Sequence, residues 1–248
     1  MDYGKYLEEF MDEVYDGFLS ENNGGMKSPG MFTMYVMLKE IKPDVVIESG
    51  VWKGQGTKII REAVGEDCKI ICLEPRVLFG YQDDGYTEYH MGEDFKDFSE
   101  LDLSEYEGEK KVGVFDDHIN AAKRLEECKL KKIDYAIFNG NYPVNCGSHV
   151  TLEHVINKDE RFMKSVKNAE ESIKEIKEIK EMIEEYKIYP NIFPGKIKTG
   201  EGYFECESYF KETETYNEIG QTKDIVEKYK PLYEEKESYR WNTLVKLK

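Results

Sequence analysis

The chain has 248 residues, 40% of them hydrophobic and 35% charged, enough apolar side chain for one large domain beneath a heavily charged surface. Its 51 acidic and 35 basic residues leave a formal charge of −16. Such a field repels phosphate backbones and anionic membranes, so neither nucleic acid nor a membrane is expected as the main partner.

The opening Met1-Asp2-Tyr3-Gly4-Lys5 lacks the basic and apolar segments of a secretory leader. No apolar run approaches the roughly 20 residues that span a bilayer. Cys68, Cys72, Cys128, Cys146 and Cys206 are odd in number and form no CxxC pair. Together these features point to the reducing cytoplasm rather than to a disulfide framework or a zinc site.

Tyr3, Tyr6, Leu7, Phe10, Met11, Val14, Tyr15 and Phe18 recur at helical spacing. A turn-rich stretch follows, Asn22-Asn23-Gly24-Gly25 and Ser28-Pro29-Gly30, and a second helix is predicted over 31–41, before Pro43. Strands are then predicted over 45–47, 69–73, 86–91, 111–115 and 133–138, with helices over 57–64 and 119–128. This alternation specifies a parallel sheet covered on both faces. Residues 150–200 break the rhythm. A Glu/Lys-rich helix over 164–187, with Val166, Ala169, Ile173 and Ile176 on one stripe, is either a surface helix laid on the domain or a lid or dimer arm. A loop with Pro190 and Pro194 runs over 191–199. Late strands are predicted over 202–210 and 240–246, with a helix over 224–235 between them.

The segment richest in information is Val45-Val46-Ile47-Glu48-Ser49-Gly50-Val51-Trp52-Lys53-Gly54-Gln55-Gly56-Thr57. A buried strand ends in an acid, then a glycine-rich turn leads into a helix. Glycines let the backbone turn sharply and approach a ligand, and open α/β sheets bind ligands beyond the carboxyl ends of their strands. The spacing of Gly50, Gly54 and Gly56 fails the G-x-G-x-x-G dinucleotide fingerprint. An acid before the first glycine also suits a cationic ligand better than a pyrophosphate.

Glu48-x-Gly50-x-x-x-Gly54-x-Gly56-Thr57 resembles the first motif of class I S-adenosylmethionine-dependent methyltransferases. The Gly-Val-Trp-Lys-Gly core most resembles the macrocin-type and mycinamicin-type sugar O-methyltransferases, a likeness that covers residues 22–143. The resemblance implies a Rossmann-like α/β fold: a mostly parallel seven-stranded sheet with one antiparallel edge, helices on both faces and a helical insertion. On this reading, 1–42 is an N-terminal helical segment, 43–148 the cofactor-binding core, 149–200 a helical insertion or lid over the acceptor pocket, and 201–248 the C-terminal strands and helix. Glu48, Ser49 and the backbone of 50–54 would hold the methionine part of S-adenosylmethionine, with Gly56 and Thr57 completing the motif and Trp52 packing against the turn. Glu74, before Pro75, would accept hydrogen bonds from both ribose hydroxyls, since a carboxylate offers two acceptor oxygens. Glu93 or Asp94, with Asp94 preferred, would meet the adenine amino group.

Asp116-Asp117-His118 ends the fourth predicted strand. A sugar hydroxyl is a weak nucleophile near neutral pH, and His118 suits the role of general base, with an adjacent carboxylate to orient it. The segment resembles an Asp-Asp-Gly-Ser-His-Ile-Asn stretch of the mycinamicin-type enzymes, shortened here by two residues. There an aspartate binds Mg²⁺, which makes Asp116, Asp117 and Asn139 candidate metal ligands. The acidic pair that completes the metal site in those enzymes is replaced by Asn139-Gly140-Asn141. For His118 and Asp117 the alternatives are a local hydrogen bond and a helix N-cap. His149 and His154 lack the HExxH pattern, although His149 could line an acceptor pocket; Tyr142, Tyr203 and Tyr209 could stack on a sugar or simply face solvent. The expected partner is a sugar, nucleotide-sugar or glycan acceptor, with homodimerisation a further candidate. A methyltransferase of non-sugar small molecules and a non-catalytic cofactor-binding module stay open as alternatives.

Overall fold

A computed structural model describes residues 3–21, 24–77, 80–83, 85–189, 192–193, 196–200, 202–205 and 223–248. Of the positions singled out above, Asn22, Asn23, Pro190, Pro194, Cys206 and Tyr209 lie outside the described residues, as does the second half of the strand predicted over 202–210.

The strands are β1 (Val45–Ser49), β2 (Lys69–Glu74), β3 (Thr87–Met91), β4 (Lys111–Phe115), β5 (Tyr135–Phe138), β6 (Ile183–Ile188), β7 (Lys196–Thr199), β8 (Gly202–Glu205) and β9 (Thr243–Leu247). Seven form one sheet in the order β3-β2-β1-β4-β5-β9-β6. The pairs from β3 to β5 are parallel, and β9 runs antiparallel to both β5 and β6. This is the expected mostly parallel, doubly wound sheet, with one correction: the antiparallel strand lies one place in from the edge, and β6 forms the edge.

The period-two alternation of the strands divides the core. Val46, Ile70, Val112, Ile137 and Leu244 pack on one face with α3 (Ser28–Ile41), α4 (Gln55–Val64) and the N-terminal helices α1 (Tyr3–Glu9) and α2 (Gly17–Ser20). Their neighbours Val45, Ile47, Ile71, Phe115 and Ala136 pack on the other with α5 (Ala121–Leu130), α6 (Leu152–Ile156), α7 (Glu160–Ser165) and α8 (Ala169–Met182). Strands buried on both faces are mostly apolar, which is why β1 and β4 stand out in the sequence, with the buried Glu48, Ser49 and Lys111 at their ends. The helices α9 (Lys223–Lys228) and α10 (Lys230–Glu234) precede β9. No helix among the described residues is long and apolar enough to cross a membrane.

Other elements depart from expectation for identifiable reasons. Helix α3 begins at Ser28, taking in the predicted turn, because Pro29 occupies the first helical turn, where its missing N–H is harmless. The predicted 164–187 helix is interrupted after Ser165, resumes as α8 at Ala169 and stops at Met182, where the chain continues as β6. Glu184, Glu185 and Lys187 disguise this strand as helix; charged side chains are what an exposed sheet edge needs to block further pairing. The buried face of α8 is Ser172, Ile176, Ile179 and Met182, whereas Ile173 is exposed. Residues 196–199, predicted as loop, form β7 and pair with β8 in a separate hairpin.

One buried ionic cluster ties these layers together. Arg124 on α5 donates from Nε to Asp117 (2.9 Å), from Nη1 to Glu127 (2.6 Å) and from Nη2 to Asp97 (2.9 Å). Its guanidinium holds the Asp97 carboxyl well below the usual range. Removing one partner from a buried cluster leaves uncompensated charge. In urea unfolding, Arg124→Leu is expected to cost about 3 kcal/mol, against less than about 0.5 kcal/mol for Lys164→Ala in the exposed pair with Glu160. Equal effects of the two substitutions would contradict this role for Arg124.

Candidate functional site

After β1 the chain winds towards β2 and β3, then returns to place β4 on the other side of β1. The carboxyl ends of β1 and β4 therefore flank the switch point, where open α/β sheets form their ligand crevice. A cleft of about 640 Å³ opens there, lined by Ser49, Gly50, Trp52, Glu74, Pro75, Asp116, Asp117, His118 and Asn139 among others. Its size suits a nucleoside-sized ligand. A small recess lined by Gly25, Met26, Gly50, Gln55, Gly56 and Asp116 reaches Glu48.

Glu48 is buried near the end of β1. Thr57 Oγ1, in the first turns of α4, donates to its Oε2 at 2.6 Å, so Thr57 holds the carboxyl instead of facing the cleft. A Cβ at Gly56 would collide with that carboxyl. Burial pushes Glu48 up to about 8 against the hydrogen bonds from Thr57 and Cys72, and Asp116 and Glu74 push the same way as burial. Gly50 has φ +94°, and a Cβ there would lie 2.5 Å from the Asp116 carbonyl oxygen, so the β1 and β4 exits can meet only through glycine. Gly54 behaves differently from expectation: the backbone of Tyr81, and not a ligand, occupies the space its side chain would need.

Glu74 ends β2 and is buried. It accepts from the Trp52 N–H (3.1 Å) and from the backbone (3.2 Å) and Nε (3.3 Å) of Arg76. The Trp52 ring lies under the Arg76 guanidinium, 5.0 Å away. Glu93 and Asp94 require a correction. They sit exposed on a 3-10 turn after β3 and do not line the cleft. Gly92, at φ +58° and packed on Val77, turns the chain so that Phe95 and Asp97 line it instead.

At the end of β4 the two aspartates differ. Burial lifts Asp116 to about 7; a hydrogen bond from the Asn139 side chain opposes this, and the Asp117 carboxylate adds to it. A third of the Asp116 side chain (33%) still faces the cleft. Asp117 is saturated: it accepts from Ser49 Oγ (2.6 Å), the Ile119 N–H (3.0 Å) and Arg124. It is a structural anchor, which corrects its assignment to catalysis or metal binding, and the N-cap of α5 is Asn120. Asn139 Oδ1 is buried with no hydrogen-bond partner among the described residues. Asp116 and Asn139 together offer one carboxylate and one amide, too little charge and too few oxygens for a Mg²⁺ cage. The donor set does not fit that metal.

His118 takes a left-handed conformation, φ 59°. Its Nε2 lies 3.9 Å from Asp116 Oδ1. Its ring stacks on that of His149, with centroids 5.2 Å apart and planes at 8°. Burial and the neighbouring His118 pull His149 down to about 4, which keeps its ring neutral. Tyr142 meets His149 edge-on at 6.1 Å and Trp241 at 6.0 Å, so an aromatic wall runs from His118 towards β9. Sequence reasoning offered His149 as a residue that could line an acceptor pocket, and its ring stacks on that of His118; it missed Arg240, which lines the cleft from a segment remote in the chain. His154 is structural; its Nδ1 accepts from the Thr151 N–H at 3.2 Å. Tyr203 is exposed on β8. Helix α8, the candidate lid, contributes no residue to the cleft.

No family model and no curated protein matches the chain. Among solved structures it is similar to the O-methyltransferase TomG from Streptomyces achromogenes in complex with SAM (11% identity, 82% of this chain and 95% of that one, TM-score 0.43). It is also similar to an O-methyltransferase from Bacillus cereus in complex with SAH (12%, 80% and 92%, 0.41). A third is a cyclopropane-fatty-acyl-phospholipid synthase-like protein from Lactobacillus casei (11%, 96% and 98%, 0.41). At such low identities and TM-scores these likenesses add nothing to what strand order and cleft say by themselves.

The elevation of Glu48 gives the ligand-free protein a pH signature. Between the ordinary carboxyl value, 4.5, and about 8, the folded state keeps a proton on Glu48 that the unfolded chain releases. Stability therefore falls as pH rises through that window, by up to about 1.4 kcal/mol per unit. Asp116 adds the same sign between its ordinary 3.8 and about 7. Thermal melts from pH 5 to 8 are expected to decline less steeply for Glu48→Gln than for the unaltered chain. Parallel curves would show Glu48 ionised throughout.

Proposed function

We propose that the chain is an S-adenosylmethionine-dependent O-methyltransferase acting on a sugar or glycan hydroxyl. The observation that carries this reading is the switch-point cleft with two buried carboxyls, Glu48 and Glu74, behind the carboxyl ends of adjacent strands. Glu48, buried and raised without a cation beside it, suits the ammonium of the methionine part, which would ionise it. The recess lined by Gly50, Gln55 and Gly56, which reaches Glu48, supports the same placement. Glu74 keeps acceptor capacity for ribose hydroxyls, and Pro75 and Phe95 offer apolar surface to a base. S-adenosylmethionine, when bound, supplies a methyl group on a cationic sulfur.

The protein's own part is alignment and proton removal. His118 takes the acceptor's hydroxyl proton, with the neutral His149 ring fixing its plane and Asp116 stabilising the imidazolium. Tyr142 and the two histidines form a surface on which a sugar ring can lie. Free buried thiols at Cys68, Cys72, Cys128 and Cys146 support a cytoplasmic setting. One observation favours a second reading for the base: Asp116, lifted to about 7 and open to the cleft, has the proton affinity that role requires.

Thermal melting tests the cofactor. S-adenosylmethionine and S-adenosylhomocysteine should each stabilise the protein by about 3 kcal/mol at a hundredfold excess over Kd, and NAD should not. A larger response to NAD would overturn the assignment. In a panel of deoxysugar acceptors, His118→Asn should lower kcat by about 10²- to 10⁴-fold while leaving S-adenosylhomocysteine binding intact. Full activity of His118→Asn with loss in Asp116→Asn would transfer the role of base to Asp116.

A further inference from the structure

Four cationic side chains besides the histidines line the cleft: Lys27, Arg76, Arg124 and Arg240. Three are paired with carboxylates. Lys27 faces Glu235 at 3.3 Å, Arg76 faces Glu74 at 3.3 Å, and Arg124 is held by Asp97, Asp117 and Glu127. Arg240 has no carboxylate within ion-pair distance among the described residues. Its Nη1 donates to the carbonyls of Lys198 and Tyr239, each at 3.1 Å. These bonds use up one side of the guanidinium and leave its Nε–Nη2 edge without an acceptor among the described residues. That edge is the planar fork that binds phosphate and carboxylate through two parallel hydrogen bonds.

The position of Arg240 is fixed. It lies between Tyr239 and Trp241, both fully buried. The Tyr239 hydroxyl donates to the Tyr189 carbonyl, and Trp241 is held in a left-handed conformation with φ 53°. A guanidinium carried on such a segment loses little freedom when it captures an anion. It also sits at the far end of the aromatic wall that starts at His118 and passes through His149, Tyr142 and Trp241. Glu48 and Glu74 lie at the ends of β1 and β2, whereas Arg240 directly precedes β9, on the other side of β4 and β5. An arginine there has no part in holding a cationic cofactor. In a chain of net charge −16, a fixed local cation is also what an anionic acceptor needs to enter at all.

We propose that the acceptor carries an anionic group, a phosphate or a carboxylate, gripped by the Nε–Nη2 edge of Arg240 while its hydroxyl reaches His118. This identification of an acceptor rests on the methyl-transfer reading, but the anion site itself does not need the cofactor and is tested without it. Calorimetric titrations of the apo protein with UMP, glucuronate and glucose give a phosphate arm, a carboxylate arm and a neutral control. At least one anion is expected to bind more tightly than glucose. Arg240→Gln should weaken that anion about tenfold, and Arg240→Lys, which keeps the charge but loses the fork, should fall between. Circular dichroism melts establish that both variants are folded. The proposal is overturned if neither anion binds better than glucose, or if folded Arg240→Gln binds the anions as tightly as the unaltered chain. Anion binding that depends on Arg240, in a protein that ignores S-adenosylhomocysteine, would instead retain the subsite and remove the methyl-transfer reading.

Discussion

The ends of β1 and β4 lie side by side while their chains leave in opposite directions, and the rest of the cleft hangs on that junction. The backbone ladder continues past the strands: the Gly50 N–H donates to Leu73 O at 3.0 Å, the Asp116 N–H to Ser49 O at 2.9 Å and the Asn139 N–H to Phe115 O at 3.0 Å. Four strand ends are thereby locked in register just where Glu74, Gly50, Asp116 and Asn139 face the opening. Side chains on such a frame keep their geometry without help from flexible loops. The close approach of Gly50 to the Asp116 carbonyl is the steric condition for this closure.

Around that junction the protein treats its carboxyl groups in two ways. Asp97 and Asp117 are neutralised by Arg124, and Glu74 accepts from amide and guanidinium donors while keeping acceptor capacity. Glu48 and Asp116 receive only neutral donors, Thr57 and Cys72 in one case and Asn139 in the other, and burial raises both. Ionisable groups left short of charge partners in a concave site are a signature of work to be done there. A cation entering beside Glu48 would relieve the first. A proton passing between the acceptor hydroxyl, His118 and Asp116 would make use of the second.

How much of this the sequence carries depends on what each residue answers to. The limits of β4 match the sequence expectation, whereas β1 runs two residues further, because its apolar run stops at Ile47 while the buried Glu48 and Ser49 still belong to the strand. The acids at the ends of β1, β2 and β4 are legible for the same reason: they punctuate apolar runs. Edge strand β6 is hidden because its outer surface is selected for charge and looks like the helix before it. The displacement from Asp94 to Phe95 and Asp97 follows from one backbone angle at Gly92, which composition does not encode. The pairing of His118 with His149 and the arrival of Arg240 depend on tertiary closure across segments more than thirty residues apart, so no local pattern announces them.

The central claim is that Glu48 and Glu74 together hold a cationic sulfur nucleoside. A crystal structure of the chain grown with S-adenosylhomocysteine addresses it most directly. The account requires the amino group of the amino-acid part in the recess at Glu48 and both ribose hydroxyls within hydrogen-bond distance of the Glu74 carboxylate. Density for the nucleoside elsewhere, or a cleft that stays empty at saturating ligand, would contradict it.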